Sequence, residues 1–257
     1  MKKDRKRILR RTFLKGAASS AGVILAGCSE SDPPTYGNLL RMGDNLTFKA
    51  HRLLLPKHSF AREYDLTEIT SVPAIGTTNP ANPNKSPTYS EAHGPVYEKF
   101  LARNFDNWTL GVTGSVERPA AFTLSDLKRM QSRTQVTRHT CEEGWSAIAQ
   151  WTGVPMRNLL EAVGVKPGAR YVQLFSFDDW GDCIDMVDAL HPQTIIAYGM
   201  NGRNLPISHG APVRLRLEKQ LGYKSMKFLR QIVVTEEFDD HGQFGHIQNG
   251  WSWYAGI

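Results

Sequence analysis

Apolar and polar positions alternate in short runs over the second half of this chain and lose their rhythm in the first. Trp108 to Val116 alternates as a strand does, and residues 125–130 fit a short helix capped by Thr123 or Ser125. Residues 135–139 are strand-like and run into Cys141. Residues 155–163 predict a helix with Pro155 in its first turn and Gly164 at its end. Further strands are expected at 171–177, 184–187, 194–200, 213–217 and 230–235. Strands outnumber helices and do not alternate regularly with them, so the expected fold class is α+β, mixed sheets with short helices.

Upstream the pattern is poorer. Residues 38–70 give no firm periodicity, and residues 71–95, rich in Pro, Asn, Thr and Gly, predict an ordered loop or an irregular wrap over the surface. A helix is expected within 91–104, beginning after Pro95. The domain reading is a tether and wrap at 28–95 followed by one globular unit at 96–257. No internal repeat or low-complexity tract interrupts it.

Charge changes the picture once it is located. The formal net charge of the 257 residues is +6, but residues 1–27 hold eight basic residues against Asp4, a net of +7. The remaining −1 over residues 28–257 gives no electrostatic case for nucleic acid. The basic start carries Arg10-Arg11-Thr12-Phe13-Leu14-Lys15, a twin-arginine export motif, then a mild apolar stretch from Ala17 to Gly27 that is too short to span a bilayer. Leu25-Ala26-Gly27-Cys28 resembles a lipobox, which predicts a lipid on Cys28 and a membrane contact through that anchor. The expected location is periplasmic or on the outer cell surface. An oxidising compartment leaves a Cys141–Cys183 disulfide open. Twin-arginine export also favours a cofactor inserted before translocation.

Two segments carry candidate chemistry. Cys141 stands in Arg138-His139-Thr140-Cys141-Glu142-Glu143-Gly144-Trp145, where a thiolate would be a soft ligand for a redox metal and His139 would help to lower its pKa. No closely spaced second Cys or His points to structural zinc, no CxxCH to covalent haem, and no GxGxxG to a dinucleotide. Residues 209–232 bring together His209, Arg214, Arg216, Ser225 and Lys227, which suit either a phosphate site or a solvated basic edge.

Both segments resemble the molybdopterin domain of the sulfite oxidase family, nearest to its bacterial branch of protein-methionine-sulfoxide reductase catalytic subunits. The resemblance rests on Cys141, Glu143, Trp145-Ser146 and Trp151-Thr152-Gly153-Val154-Pro155. It continues through Ala197 to Gly202, Leu205-Pro206, His209-Gly210, Pro212, Arg214 and Ser225-Met226-Lys227. It implies a sulfite-oxidase-type fold over 96–257 and a molybdenum-molybdopterin cofactor, one metal per chain, with Cys141 as the protein's ligand. His209, Arg214, Ser225, Met226 and Lys227 would hold the pterin and its phosphate, with Asp178 beside it. Arg103, Asp106 and Asn107 would form an early cofactor loop, Arg103 also serving as a catalytic cation on the substrate side and Trp180 taking a tyrosine's place near the metal.

The implied activity is two-electron oxygen-atom transfer. Sulfite oxidases carry an arginine five residues after the ligand cysteine, and this chain has Ser146 there, beside Glu142 and Glu143. A pocket with fewer cations and more carboxylates suits a dianion poorly, so reduction of S- or N-oxides such as methionine sulfoxide, free or protein-bound, is expected ahead of sulfite oxidation. Arg103 departs from the asparagine of the sulfoxide reductase branch. With no haem or iron–sulfur motif in the chain, a separate electron carrier is expected, a membrane cytochrome b fitting that role. The rival from another class is a metal-free, lipid-anchored binding protein, against which an intact Cys141 speaks.

Overall fold

The computed structural model describes residues 42–56, 59–238 and 251–257. The export motif, Cys28 and most of the expected tether lie outside them. The helices are α1 (Met42–Leu54), α2 (Gly94–Leu101), α3 (Leu124–Arg129), α4 (Met156–Val163) and α5 (Met186–Ala189). The strands are β1 (Thr109–Gly114), β2 (Ala120–Thr123), β3 (Arg133–Thr140), β4 (Ser146–Pro155), β5 (Tyr171–Ser176), β6 (Gly181–Asp185), β7 (Ile195–Met200), β8 (Arg203–Asn204), β9 (Arg214–Arg216) and β10 (Leu229–Thr235). They form two five-stranded sheets, as expected of an α+β chain. One runs β2-β1-β10-β5-β6, with β1 and β10 parallel; the other runs β3-β4-β7-β8, with β9 also on β7.

Burial explains the first sheet. Leu110, Val112, Val172, Leu174, Ile184, Ile232 and Val234 share one core with Met156, Leu159, Leu160 and Val163 of α4. The alternate residues Tyr171 and Cys183 enter a separate cluster with Phe48 of α1 and Trp253 and Tyr254 near the end of the chain. With both faces covered, every residue of β6 is buried, and so are all of β5 but one. Cys141 and Cys183 are therefore in different surroundings, and no disulfide joins them.

Local chemistry sets the element ends. Asp126 N–H donates to Thr123 Oγ1 at 3.1 Å and Thr123 N–H to Asp126 Oδ2 at 2.9 Å, a reciprocal cap that starts α3 at Thr123 rather than Ser125. Pro155 is the N-cap residue of α4, one place earlier than expected. The strand expected at 184–187 ends at Asp185, whose carboxylate accepts from Asp188 N–H at 2.9 Å and turns the chain into α5. Gly153 sits at an irregularity between β4 and β7, and a Cβ there would lie 2.2 Å from Ile196 O.

Two upstream segments gain definition. Residues 42–54 are helical although they show no inward apolar stripe, because α1 is apolar on the wrong side. Met42, Leu46, Leu53 and Leu54 are exposed, whereas its inner face buries Phe48 and hydrogen-bonds through Asn45 and Arg52. Residues 71–95 are the ordered loop among the two expected alternatives, and part of that loop lines the cavity described below. Thr70 fixes its start, with its N–H on Ile148 O and its hydroxyl accepting from Ile148 N–H, both at 2.9 Å.

Candidate active site

Cys141 follows directly on β3 and is 4 % exposed. Its N–H donates to Trp145 O at 2.9 Å, closing a turn whose tip is Gly144 at φ 90°. The turn presents the thiol to a cavity of about 260 Å³ lined by strands of the second sheet, the turn between β5 and β6, the 72–88 loop, residues 208–227 and Trp251. The thiol donates to Glu142 Oε2 at 3.5 Å. Burial, with the Glu142 and Glu143 carboxylates adding to it, pushes its pKa up to about 11. His139 does not lower it. Its own pKa is pushed down to about 2 by burial and by the cations Arg216, Arg214 and Lys227. The neutral ring accepts at Nδ1 from Arg216 Nη1 at 2.6 Å. Gly222 is required where the chain passes this ring, since a Cβ there would lie 2.6 Å from His139 Nε2.

The buried side of the cavity is cationic. Arg214 is 6 % exposed and donates only to carbonyls, Ser225 O at 2.6 Å, His209 O at 3.1 Å and Leu215 O at 3.4 Å. Among the described residues no carboxylate pairs with it, and burial and then Arg216 push its pKa down to about 9. Lys227 donates to Ile75 O at 2.8 Å and to Thr77 O, and burial and Arg214 lower its pKa to about 7. His209 is lowered to about 4 by burial, Arg214 and Lys227. By contrast Arg216 is neutralised by Glu218 at 2.7 Å and stacks over Trp151 at 4.4 Å. Buried cations left with carbonyl partners are a receptor for an anion.

The cavity lining includes Cys141, Asp178, Trp180, His209, Arg214, Ser225, Met226 and Lys227. Asp178 accepts from Ser176 Oγ and, at 3.4 Å, from Thr88 Oγ1. Ser225 contributes its carbonyl to Arg214, and its hydroxyl accepts from Leu217 N–H at 3.1 Å. Arg103, Asp106 and Asn107 are not brought there. They sit exposed on the turn after α2, outside the lining, because the chain reaches the cavity earlier, through 72–77 and 87–88. Sequence reasoning missed Thr77, Thr88, Tyr223 and Trp251. The Pro- and Gly-rich composition of 71–95 was the available signal, since such segments also build ordered ligand walls.

Among the described residues no three His, Cys, Asp or Glu side chains cluster as a protein-only metal site. Among the described residues Cys141 would therefore give a metal a single protein ligand. A single buried thiol and an anion receptor in one cavity fit a metal carried by a phosphorylated ligand. The family of the oxidoreductase molybdopterin binding domain matches residues 93–243, more than half of the chain.

The chain belongs to this molybdopterin-binding oxidoreductase family.

Several relatives sharpen the placement. A putative protein-methionine-sulfoxide reductase subunit YedZ1 from Azospira oryzae is 40% identical over 150 residues, 58% of this chain and 56% of that protein. The catalytic subunit MsrP of Xanthomonas axonopodis pv. citri is 27% identical over 249 residues, 90% of this chain and 71% of that one. Among solved structures, the sulfane dehydrogenase SoxCD of Paracoccus pantotrophus is similar at a TM-score of 0.48 and 24% identity, over 51% of this chain and 39% of its own. The chain thus spans about half the length of the Azospira relative. Membership of the molybdopterin-binding family implies the molybdenum cofactor.

Proposed function

We propose that this chain reduces S-oxides of the methionine sulfoxide type, with Cys141 holding molybdenum and Arg214, Lys227, His209 and Ser225 holding the pterin and its phosphate. The carrying observation is the division of charge within one cavity. Its cations lie on the buried side, committed to an anion, while the exposed rim beside Cys141 presents Glu142, Glu143, Trp145 and Trp180. Arg103, the cation the resemblance offered for a sulfite dianion, is on the exposed turn after α2, outside the cavity lining. A neutral sulfoxide with one acceptor oxygen and an apolar flank suits such a rim.

When bound, the cofactor supplies two-electron oxygen-atom transfer, so that a sulfoxide with two electrons and two protons gives a thioether and water. The protein's part is ligation, orientation and charge. Cys141 must lose its proton to ligate a metal, and Glu142 Oε2, 3.5 Å from the sulfur, is placed to accept it. Asp178 gives the pterin side one acceptor among the cations. The electrons come from a separate carrier, in keeping with the relatives' being named as subunits. A membrane cytochrome b is the proposed donor.

The test is steady-state turnover of the molybdenum-loaded chain with reduced dye and methionine sulfoxide, against sulfite with an oxidised acceptor. A higher kcat/KM for the sulfoxide is expected; a higher value for sulfite would overturn the reading. We propose too that twin-arginine export delivers the chain, with lipid on Cys28. Mass spectrometry of the mature protein should find an acylated N-terminal Cys28, and an unmodified N-terminus elsewhere refutes it.

A further inference from the structure

Two pieces of chain outside the family-matched span meet beside the cavity: α1, which precedes it, and residues 251–257, which follow it and bring Trp251 into the lining. They pack on each other. The Phe48 ring lies 4.9 Å from that of Trp253 and 5.1 Å from that of Tyr254. Ser252 Oγ donates to Asp44 Oδ1 at 2.8 Å and Trp253 Nε1 to Asn45 Oδ1 at 2.9 Å. The tail is also tied to the stretch after β9. Leu221 N–H donates to Ala255 O at 2.9 Å, Tyr223 OH to Ser252 O at 2.7 Å and Lys224 Nζ to Trp253 O at 2.7 Å. In turn α1 is held to the first sheet by Arg52, which donates to Asp185 at 2.8 Å and pairs with Asp188 at 3.0 Å.

All these contacts converge on the placement of Trp251. Its ring lines the cavity 4.7 Å from Tyr223 and 5.6 Å from Trp180, both also in the lining. Three half-buried rings, Trp180 and Tyr223 each packed on Trp251, make an apolar wall of the cavity. We infer that Trp251, with Trp180 and Tyr223, is the subsite that grips the S-alkyl flank of the substrate, and that α1 and the tail are its positioning brace. Sulfur next to methylenes packs favourably against ring edges, while a small or inorganic oxide has nothing to place there. The selected class is therefore an S-oxide with a methionyl-type side chain. This rests on the S-oxide reading above and adds the residues that choose among oxides.

The test is calorimetric titration of the loaded chain with N-acetylmethionine sulfoxide, joined to turnover with that compound and with trimethylamine N-oxide. Trp251→Ala should raise the Kd about tenfold, the scale of a lost sulfur–aromatic and apolar contact, and Trp251→Phe should recover most of it. The ratio of kcat/KM for the sulfoxide over the N-oxide should fall by a similar factor, through KM rather than kcat. Phe48→Ala, which loosens the brace from outside the cavity, should move Kd the same way by a smaller factor. An unchanged Kd in Trp251→Ala, or an equal loss with both oxides, overturns the subsite. Binding that depends on Trp251 without any sulfoxide turnover would sink the S-oxide reading and leave the subsite standing.

Discussion

The buried and exposed sides of one cavity are built on opposite electrostatic plans. On the buried side Arg214 and Lys227 are held by main-chain carbonyls, with neutral His209 and His139 beside them. On the exposed side the carboxylates of Glu142 and Glu143 flank a buried thiol, and indoles complete the rim. Desolvated cations carry a standing free-energy cost that an arriving anion removes, so the buried side is specific for a permanent, charged occupant. The rim carries no such demand for an anion. On the proposed function, one side would fix the cofactor and the other would sort neutral substrates by shape.

Substitutions on the two sides should therefore fail differently. Cys141→Ser should abolish turnover, by well more than the roughly 100-fold expected of a residue that only supports a ligand, while the chain keeps its thermal transition. Arg214→Gln should instead weaken cofactor retention by about 10- to 100-fold, the scale of a charge-assisted hydrogen bond. Molybdenum per chain and turnover per molybdenum, measured on both, separate the effects. Low turnover per metal is expected for the first and low metal content for the second. If Cys141→Ser keeps normal turnover, the thiol is not the ligand; if Arg214→Gln keeps its full molybdenum, the cation wall is not what holds the anion.

How far the sequence revealed this division depended on whether a residue's neighbours in the chain are also its neighbours in space. The thiol, the turn after it and the 209–227 cations lie in two short stretches of chain, so the family resemblance, carried by residues close in sequence, could name them where the residue pattern alone left them open. The 72–88 wall was hidden because irregular backbone has no period, and its contribution includes the carbonyls of Ile75 and Thr77, which no side-chain pattern encodes. Helix α1 was hidden because its inner face binds through polar pairs and its outer face is apolar. Arg103 shows the converse: the resemblance put it in an early cofactor loop, whereas it sits exposed on the turn after α2, outside the cavity lining.

The smallest expected effect is a dependence of stability on pH that distinguishes an empty cation wall from a filled one. Burial and the surrounding cations depress His139 from 6.5 to about 2 and His209 from 6.5 to about 4. Below pH 6.5 the unfolded chain binds protons that the folded chain refuses, so this contribution is complete above pH 6.5 and is lost as pH falls toward the folded values. Asp182 and Asp185, raised to about 6 chiefly by burial, act in the opposite sense: the folded chain holds more protons there, and stability rises as pH falls through 6. The histidine part must therefore be read as a difference. Between pH 7.5 and 5 the Tm of the cofactor-free chain should fall by roughly 5 °C more than that of a His139→Gln variant. A bound phosphate offsets Arg214 and Lys227, the charges that help to keep both rings neutral, so the same difference should shrink in the loaded chain. Equal differences with and without cofactor would mean that no anion sits against this wall, and the contrast between the two sides of the cavity would lose its cause.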